Sequence, residues 1–194
     1  MYSIEMLSSD EIKDILYSTI ESIGKERIRS DTTSDINFSK KYIDAIMAEC
    51  ITKINVNPNA NNKDETIAVL SEALLHFMLT VSTLPSERKI QIKDMLTIDV
   101  VIPSLQSLKR TPEKSIIIEF VRNKMDSDKI SQLEFLQPNH KNIWLISGIP
   151  FSTTRYRIYG MPINTGIFHG FSNIIKDINN FLKETGDKSL RFIQ

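Results

Sequence analysis

Two carboxylates lie inside apolar runs that a polar stretch separates. The segment IDVVIPSLQSLKRTPEKSIIIEF, residues 98–120, carries Asp99 in its first run and Glu119 in its second. A symmetric hairpin with its loop centred on Lys109 places Asp99 opposite Glu119. Directly opposed side chains have Cβ atoms roughly 4.5–5.5 Å apart, and like charges at that spacing are destabilising. We therefore expect a cation between the acids, a protonated acid, or intervening basic side chains.

Of these arrangements, a cation between the two acids would give the site a function as a metal centre. Carboxylate oxygens and water are the ligands that a hard divalent cation such as Mg²⁺ takes in proteins. Side chains alternate between the faces of a strand, so the acids share a face with Val101, Ile117 and Val121. The opposite face is wholly apolar and is predicted to be core; it consists of Ile98, Val100, Ile102, Ile116, Ile118 and Phe120.

An acid on each of two successive strands resembles the PD-(D/E)xK nuclease superfamily, which includes archaeal Holliday-junction resolvases and restriction-endonuclease-like enzymes. The resemblance covers residues 64–147 and rests on IDVVIP, IIIEFV, a following helix and the strand NIWLIS. It implies Mg²⁺-dependent phosphodiester hydrolysis, with Asp99 and Glu119 as catalytic metal ligands. It also implies Glu72 as a third metal ligand, because the first helix of such folds often contributes an acid.

The sequence departs from the superfamily pattern at one position. The expected lysine, two residues after the second acid, is replaced by Val121. A lysine there positions the attacking water and stabilises charge that develops on the phosphate. Lys124 or Lys129 could supply that ammonium group from beyond the strand, as migrated lysines do in some members. The alternative is an inactive nuclease-like fold that serves as a protein-interaction or oligomerisation module, so cleavage is expected to be weak or absent even with metal bound.

Two basic segments are candidate nucleic-acid contacts, with DNA and RNA both open. In TTRYRIY, Arg155 and Arg157 flank Tyr156, and arginines bind phosphates while aromatic rings stack on bases. The same pattern is typical of a half-exposed edge strand whose arginines prevent aggregation. Lys109 and Arg110 lie at the predicted hairpin tip, where they could contact a phosphate backbone or be solvated.

Other catalytic signatures are absent from the sequence. It contains no GxxxxGK[ST], no GxGxxG after a strand, and no GxSxG, HExxH or CxxC, which disfavours common nucleotide-binding, hydrolase and zinc sites. Glu72 and His76 lie four residues apart on a predicted helix, a spacing typical of a surface pair.

Composition is that of an ordinary globular protein. The 194 residues are 41% hydrophobic and 25% charged, with 24 basic and 24 acidic residues. A polyanion-binding surface must therefore be a local patch. The one cysteine, Cys50, and the absence of a signal-like N-terminus or a long apolar run predict a cytoplasmic protein without a membrane segment.

Periodicity supplies the elements that would position the acids. Ser8 and Glu11 form a capping-box pair that opens a helix from Ser9 to Arg29. Further predicted elements are helices at 38–53, 62–81, 127–137 and 171–182, strands at 98–102, 115–121, 143–146 and 153–159, and a last edge strand in SLRFI; residues 89–96 could be strand or helix. This order predicts an α/β three-layer sandwich with a mixed central sheet.

Two regions are expected along the chain. Residues 1–54 form an N-terminal helical region that packs on the core or on a partner chain, with a homodimer as one outcome. Residues 62–194 form the α/β nuclease-like domain. The stretch between them, NVNPNANNKD, has no apolar periodicity and is predicted to be a loop.

Overall fold

The computed structural model describes residues 7–56, 63–92, 96–122, 127–148, 153–161 and 169–186. The predicted SLRFI strand and Asn62, the first residue of the helix predicted at 62–81, lie outside this part of the chain. Within it, the α-helices are α1 (Ser9–Ile23), α2 (Lys25–Ser34), α3 (Phe38–Asn55), α4 (Lys63–Val81), α5 (Leu105–Arg110), α6 (Ser127–Leu136) and α7 (Ile174–Glu184). The strands are β1 (Glu87–Ile92), β2 (Leu96–Ile102), β3 (Ile116–Val121), β4 (Ile143–Ser147), β5 (Arg157–Gly160) and β6 (His169–Gly170).

The described strands form one mixed sheet whose spatial order follows the chain, β1-β2-β3-β4-β5-β6. Strands β1 to β3 are antiparallel neighbours, and β3 to β6 are parallel neighbours. Strands β3 and β4 are parallel, so they need a long connection rather than a tight turn, and helix α6 lies in that connection. The predicted mixed sheet is therefore confirmed.

Apolar residues cover both faces of this sheet and form two clusters. The larger cluster joins the sheet to α1, α2, α3, α4 and α7, and the smaller cluster joins it to α5 and α6. This is the predicted three-layer arrangement of helices, sheet and helices. One face assignment was wrong: Ile98 lies in the smaller cluster, whereas Val100 and Ile102 lie in the larger one. Regular alternation along β2 is thus interrupted between Ile98 and Val100, at Asp99.

Helix α4 is the centre of the larger cluster. The predicted apolar face is buried, and so are residues on its other sides; the buried set is Ile67, Ala68, Leu70, Leu74, Leu75, Phe77, Met78, Leu79 and Val81. A helix that is apolar nearly all round is enclosed by other elements. Here those elements are the sheet on one side and α1 and α3 on the other.

The N-terminal helix is shorter than predicted. The Ser8–Glu11 capping box is present, but α1 ends at Ile23 because Gly24 adopts φ +103°. This left-handed backbone is accessible to glycine and strained for other residues. Helix α2 then begins at Lys25 and extends to Ser34, five residues beyond the predicted helix end at Arg29. The single helix from Ser9 to Arg29 is therefore a pair of helices.

The apolar stripes of α1 and α3 lie inside the larger cluster. Leu16 and Ile20 of α1 and Ile46 and Met47 of α3 are fully buried there, with α4 and the sheet. In the described residues, no helix is both long and apolar enough to cross a bilayer.

The connection between β2 and β3 is helical rather than a polar loop. Helix α5 and a 3₁₀ turn at Pro112–Lys114 fill it. The buried side chain of Gln137, just after α6, donates to the carbonyls of Pro112 and Ser115 at 2.6 and 2.8 Å. The predicted register is nevertheless observed, with Val100 opposite Ile118 and Ile102 opposite Ile116.

Candidate active site

Asp99 and Glu119 lie directly beyond the paired residues Val100 of β2 and Ile118 of β3. Both side chains are buried. Each carboxylate accepts a hydrogen bond from the backbone of the facing strand: Asp99 Oδ2 from the amide of Phe120 at 2.9 Å, and Glu119 Oε1 from the amide of Asp99 at 3.2 Å. One oxygen of each carboxylate is thereby fixed to the sheet.

The other oxygen of each carboxylate binds a lysine. Lys89 Nζ of β1 lies 2.7 Å from Asp99 Oδ1, and Lys129 Nζ of α6 lies 2.6 Å from Glu119 Oε2. The two acids therefore lie side by side because an ammonium group neutralises each of them. Of the three arrangements expected from the sequence, the structure has intervening basic side chains.

Lys89 also binds Glu72, the acid predicted as a third metal ligand. Its Nζ lies 2.8 Å from Glu72 Oε1, so one ammonium group bridges Glu72 of α4 and Asp99 of β2. Arg122 pairs with Glu72 Oε2, and Arg88 Nη2 lies 3.8 Å from Glu72 Oε1. Glu72 is thus surrounded by three cations.

Arg88 and Lys89 reach the same carboxylate because the strand is irregular between them. Successive side chains normally point to opposite faces of a strand. Lys89 has φ +47°, in the left-handed region. Arg88 pairs with Val100 and Ile90 pairs with Ile98, whereas Lys89 between them has no partner in the β1–β2 register. Strained backbone of this kind is held by its surroundings and is concentrated at functional sites.

The pKa values of the two acids move in opposite directions. Burial raises the pKa of Asp99, but the hydrogen bonds from Lys89 and the Phe120 amide outweigh it and hold the pKa below its ordinary value. Burial, followed by the charge of Asp99, raises the pKa of Glu119 to about 7 in spite of Lys129. For Lys89, burial lowers the pKa, yet the bonds to Asp99 and Glu72 leave it raised. Of the two acids, Glu119 is therefore the one that takes up a proton first as the pH falls.

The substitution by Val121 has a structural reason. Val121 is buried in the smaller cluster, beside Leu133 of α6. An ammonium group at that position would be surrounded by apolar side chains. Helix α6 packs on the face of β3 that carries Glu119, and from its first turn Lys129 reaches that carboxylate. Lys124, the other lysine considered for this role, lies outside the described residues.

The carboxylates of Asp99 and Glu119 could bind a divalent cation if the two lysines that now pair with them were displaced. No group of three His, Cys, Asp or Glu side chains in the described residues could hold a metal ion together. Asp99 and Glu119 nevertheless each keep one oxygen that already binds a cation, while backbone amides orient the other oxygen. Carboxylates held in this way by outer hydrogen bonds are typical metal ligands. A metal would have to displace Lys89 from Asp99 and Lys129 from Glu119.

The predicted nucleic-acid residues of TTRYRIY are engaged within the protein. Arg157 Nη2 lies 2.6 Å from Asp177 Oδ2, and its guanidinium lies 4.7 Å from the ring centre of the buried Trp144. Arg155 Nε lies 2.8 Å from Glu134 Oε1, and the hydroxyl of Tyr156 donates to the same oxygen at 2.5 Å.

The edge position expected for this segment was wrong, although Arg155 is exposed and Tyr156 and Arg157 are half-buried. In the described sheet, β5 lies between β4 and β6, and the residues from Ile158 to Gly160 are buried. Lys109 and Arg110, by contrast, are exposed in the last turn of α5. They remain predicted nucleic-acid contacts.

The predicted Glu72–His76 pair is absent. Both oxygens of Glu72 bind the cations described above, and His76 Nδ1 is buried without a hydrogen-bond partner in the described residues. Burial, followed by the charge of Arg88, lowers the pKa of His76.

Sequence reasoning missed Lys89 and Arg88 as site residues, and it did not connect Arg122 with Glu72. The signal for Lys89 was its distance from Asp99: in a tight β1–β2 hairpin the two are equidistant from the turn, but residues 89–96 were not assigned to a strand. Arg122 directly follows a buried strand that carries Glu119, a position from which a long basic side chain can reach a neighbouring acid.

Comparison with solved structures identifies the fold. The restriction endonuclease Ecl18kI, metal-depleted and in complex with uncleaved, modified DNA, superposes with a TM-score of 0.62 at 12% sequence identity, covering 96% of this chain and 88% of that one. The chain has a restriction-endonuclease-like fold. A second structure, metal-depleted Ecl18kI in complex with uncleaved DNA, gives a TM-score of 0.46 at 12% identity, covering 97% and 88%. No protein-family model matches the sequence, and no curated protein matches it.

Proposed function

We propose that this restriction-endonuclease-like chain is a nucleic-acid-processing protein that hydrolyses phosphodiester bonds with a divalent metal ion at Asp99 and Glu119. The observation that carries the proposal is the shared arrangement of the two acids. Each has one oxygen fixed by a backbone amide and one oxygen bound to an ammonium group. DNA is the favoured substrate class because the structural neighbour is a complex with DNA.

Metal binding requires Lys89 to leave Asp99 Oδ1. Its side chain is 48% exposed, so it has room to move toward solvent. The ion, once bound, would polarise a phosphate oxygen and lower the pKa of a water molecule. Mg²⁺ is the expected ion, because both ligands are hard carboxylate oxygens. Glu72 would join the ligands only after Lys89 has moved.

Lys129 takes the place of the missing lysine in this proposal. Its Nζ is held at Glu119 and is 36% exposed, so a phosphate at the acids could contact it. An ammonium group there stabilises charge that develops on the phosphate oxygens. Glu119 must be ionised to bind metal, which requires loss of a proton from a group whose pKa is about 7.

The first experiment measures metal binding. Isothermal titration of the wild type with Mn²⁺ and Mg²⁺ at pH 8 should give one site, and Asp99→Asn and Glu119→Gln should each abolish it. Asp44→Asn is the matched control, because Asp44 is an exposed acid with its own lysine partner, Lys40, at 2.6 Å. The metal site would be refuted if the wild type gave no heat of binding, or if Asp44→Asn lost metal binding as fully as Asp99→Asn and Glu119→Gln.

The second experiment measures cleavage. Single- and double-stranded DNA and RNA are incubated with the protein and Mn²⁺ or Mg²⁺. Activity is expected to be weak, and Lys129→Met should lower it about a hundredfold, the typical effect of removing one oxyanion-stabilising group. It should leave the stoichiometry of metal binding unchanged. A Lys129→Met variant that cleaves as fast as the wild type would contradict the assigned role.

A second candidate function is an inactive fold used as a protein-interaction or oligomerisation module. The observation that favours it is the complete pairing of the acids with lysines, since a site already neutral in charge does not require a metal. A second copy or another protein would then contact the outer surface of α1 and α3, where Tyr17 and Phe38 are 50% and 40% exposed. Absent metal binding together with a dimer in analytical ultracentrifugation would support this function.

A further inference from the structure

A cleft of about 500 Å³ lies beside the acid pair, between the start of α1, one side of α4, strand β1 and the end of β3. Four cations line it: Lys13, Arg88, Lys89 and Arg122. Among the described residues, its acidic lining consists of Glu65 and Glu72. Lys13 is itself paired with Asp10 at 3.1 Å, so the positive charge of the cleft comes mainly from Arg88, Lys89 and Arg122, although the whole chain has balanced charges.

Glu72 does not cancel this charge, because three cations share it. Arg122 and Lys89 bind its two oxygens, and Arg88 lies farther away, with Nη2 at 3.8 Å. Lys89 is in turn shared with Asp99. After Glu72 and Asp99 are each assigned one cation, one guanidinium of the group remains uncompensated. Arg88 has the longest of these contacts and is that guanidinium.

Arg88 also has an unused hydrogen-bond donor. Its Nε is buried and has no partner within the described residues. Buried polar groups are nearly always hydrogen-bonded, and this cleft-lining side chain therefore keeps a donor that no acceptor of the described residues satisfies. Guanidinium groups bind phosphate oxygens through two parallel N–H donors, a geometry that lysine cannot offer.

We propose that this cleft binds a phosphate group through Arg88, with Arg122 and Lys13 as supporting cations. The proposal rests on the proposed function for the source of that phosphate: a nucleic-acid strand whose neighbouring phosphate lies at Asp99 and Glu119. Lys89 connects the two places, since its ammonium group contacts both Glu72 in the cleft wall and Asp99. The cleft itself requires no metal ion.

The test is therefore made in EDTA. Inorganic phosphate, a 5′-mononucleotide, and short single- and double-stranded DNA and RNA are titrated into the wild type and into Arg88→Gln. We expect Arg88→Gln to weaken binding about tenfold or more, because hydrogen bonds to a charged group are the strong ones. Arg88→Lys should recover part of the loss. Arg29→Gln, which removes an exposed arginine of α2 outside the cleft, is the matched control.

The ligands separate the sources of the phosphate. Binding of oligonucleotides that inorganic phosphate competes away, and that Arg88→Gln weakens, identifies a nucleic-acid strand. Binding of phosphate or the mononucleotide alone identifies a small phosphorylated ligand instead. No binding of any of them, or equal losses in Arg88→Gln and Arg29→Gln, overturns the proposal. Circular dichroism and melting curves verify that each variant is folded.

This result is independent of the metal site. Phosphate binding in EDTA that depends on Arg88, without metal binding at Asp99 and Glu119, would support the cleft and refute the nuclease proposal. Metal binding at the acids without phosphate binding in the cleft would support the metal site and refute the phosphate-binding cleft.

Discussion

The backbone amide of Asp99 donates to Oε1 of Glu119, 3.2 Å away, so the second acid is held by the strand that carries the first. The side chain of Asp99 accepts in return from the amide of Phe120, the residue after Glu119. Two acids that would repel each other are thereby fixed in mutual orientation. Their remaining oxygens bind Lys89 and Lys129.

Asp99→Asn is expected to destabilise the metal-free protein. If the two acids had no cationic partners, Asp99→Asn would be expected to stabilise the protein, because removing one charge would relieve their repulsion. Asp99 is instead paired, and its loss leaves Lys89 with one partner fewer at a cost on the order of 1–3 kcal/mol. Urea denaturation at pH 7 in EDTA measures this. Asp44→Asn, which breaks an exposed pair, should change stability by less than about 1 kcal/mol.

The same comparison has a defined pH dependence. The pKa of Asp99 is held below its ordinary 3.8, so its contribution to stability is present above that value and is lost as the pH falls below it. The gap between wild type and Asp99→Asn should therefore narrow in strongly acidic solution. A gap that stays constant from pH 7 down to pH 2 would contradict the pairing.

Glu119→Gln is expected to gain stability relative to the wild type as the pH rises from acidic to alkaline. The pKa of Glu119 is raised from 4.5 to about 7, so the stability that Glu119 contributes is fully present below pH 4.5 and is lost as the pH rises to 7. At about 1.4 kcal/mol per pKa unit, ionisation costs roughly 3 kcal/mol. Gln cannot ionise and avoids this cost.

Urea denaturation of wild type and Glu119→Gln at pH 5 and pH 8 measures the effect. The difference in unfolding free energy should shift by up to roughly 3 kcal/mol in favour of the variant. Glu49→Gln serves as the control, because Glu49 is exposed on α3 and its pKa is lowered by its bond with Lys53. Parallel pH curves for wild type and Glu119→Gln would show that Glu119 is ionised throughout.

Lys89→Met is expected to tighten metal binding. The variant has no ammonium group to displace from Asp99, and the site is more negative by one charge. Unit charges about 4 Å apart interact by about 4 kcal/mol at an effective dielectric constant of 20, so a gain of at least about tenfold in Mn²⁺ affinity is expected. Calorimetry at pH 8 measures it.

The control for that variant is Lys53→Met. Lys53 also has two partners, Glu49 Oε1 and Thr19 Oγ1, each at 2.8 Å, but it lies in the helical layer. Its substitution should leave Mn²⁺ affinity unchanged. Weaker metal binding by Lys89→Met would mean that Lys89 supports the site rather than competing with the ion.

Deletion of residues 1–54 should yield an aggregating or unfolded remainder. The fragment would expose the surface of α4 that Leu16, Ile20, Ile46 and Met47 cover. Burial of one such side chain contributes about 1.5–3 kcal/mol. A cooperative melting transition and a monomeric elution volume for residues 62–194 would show instead that the remainder folds alone.

A point variant supports the same prediction in the full chain. Leu16→Ala removes a fully buried side chain and should cost about 2–5 kcal/mol. Tyr17→Ala, at the adjacent half-exposed residue, should cost much less.

Elements with strong local patterns could be predicted from the sequence. The apolar face of α4, the α6 crossover and the amphipathic α7 were each indicated by helical periodicity. The β2–β3 register was predicted from a symmetric loop, and it is observed because α5 and the following 3₁₀ turn are centred on the same residue, Lys109. Register depends on that centre and not on the conformation of the connection.

The partners of the acids could not be predicted in the same way. Lys89 reaches Glu72 and Asp99 through a positive φ, which nothing in KIQIK indicates, because positions with positive φ usually carry glycine or asparagine. The position of Glu72 over β1 depends on how α4 crosses the sheet. The burial of β5 depends on β6, whose two residues leave no periodic signal.

Trp144 gives this fold a built-in optical probe. It is the only tryptophan of the chain, is fully buried in β4, and has the Arg157 guanidinium against its ring. Its emission should therefore be blue-shifted in the native protein and move to longer wavelength when β4, β5 and α7 separate. Trp144 belongs to the larger cluster, whereas Val121 and Leu133 beside Lys129 belong to the smaller one. Tryptophan fluorescence should thus follow global unfolding while remaining insensitive to exchange of lysine for metal at the acids.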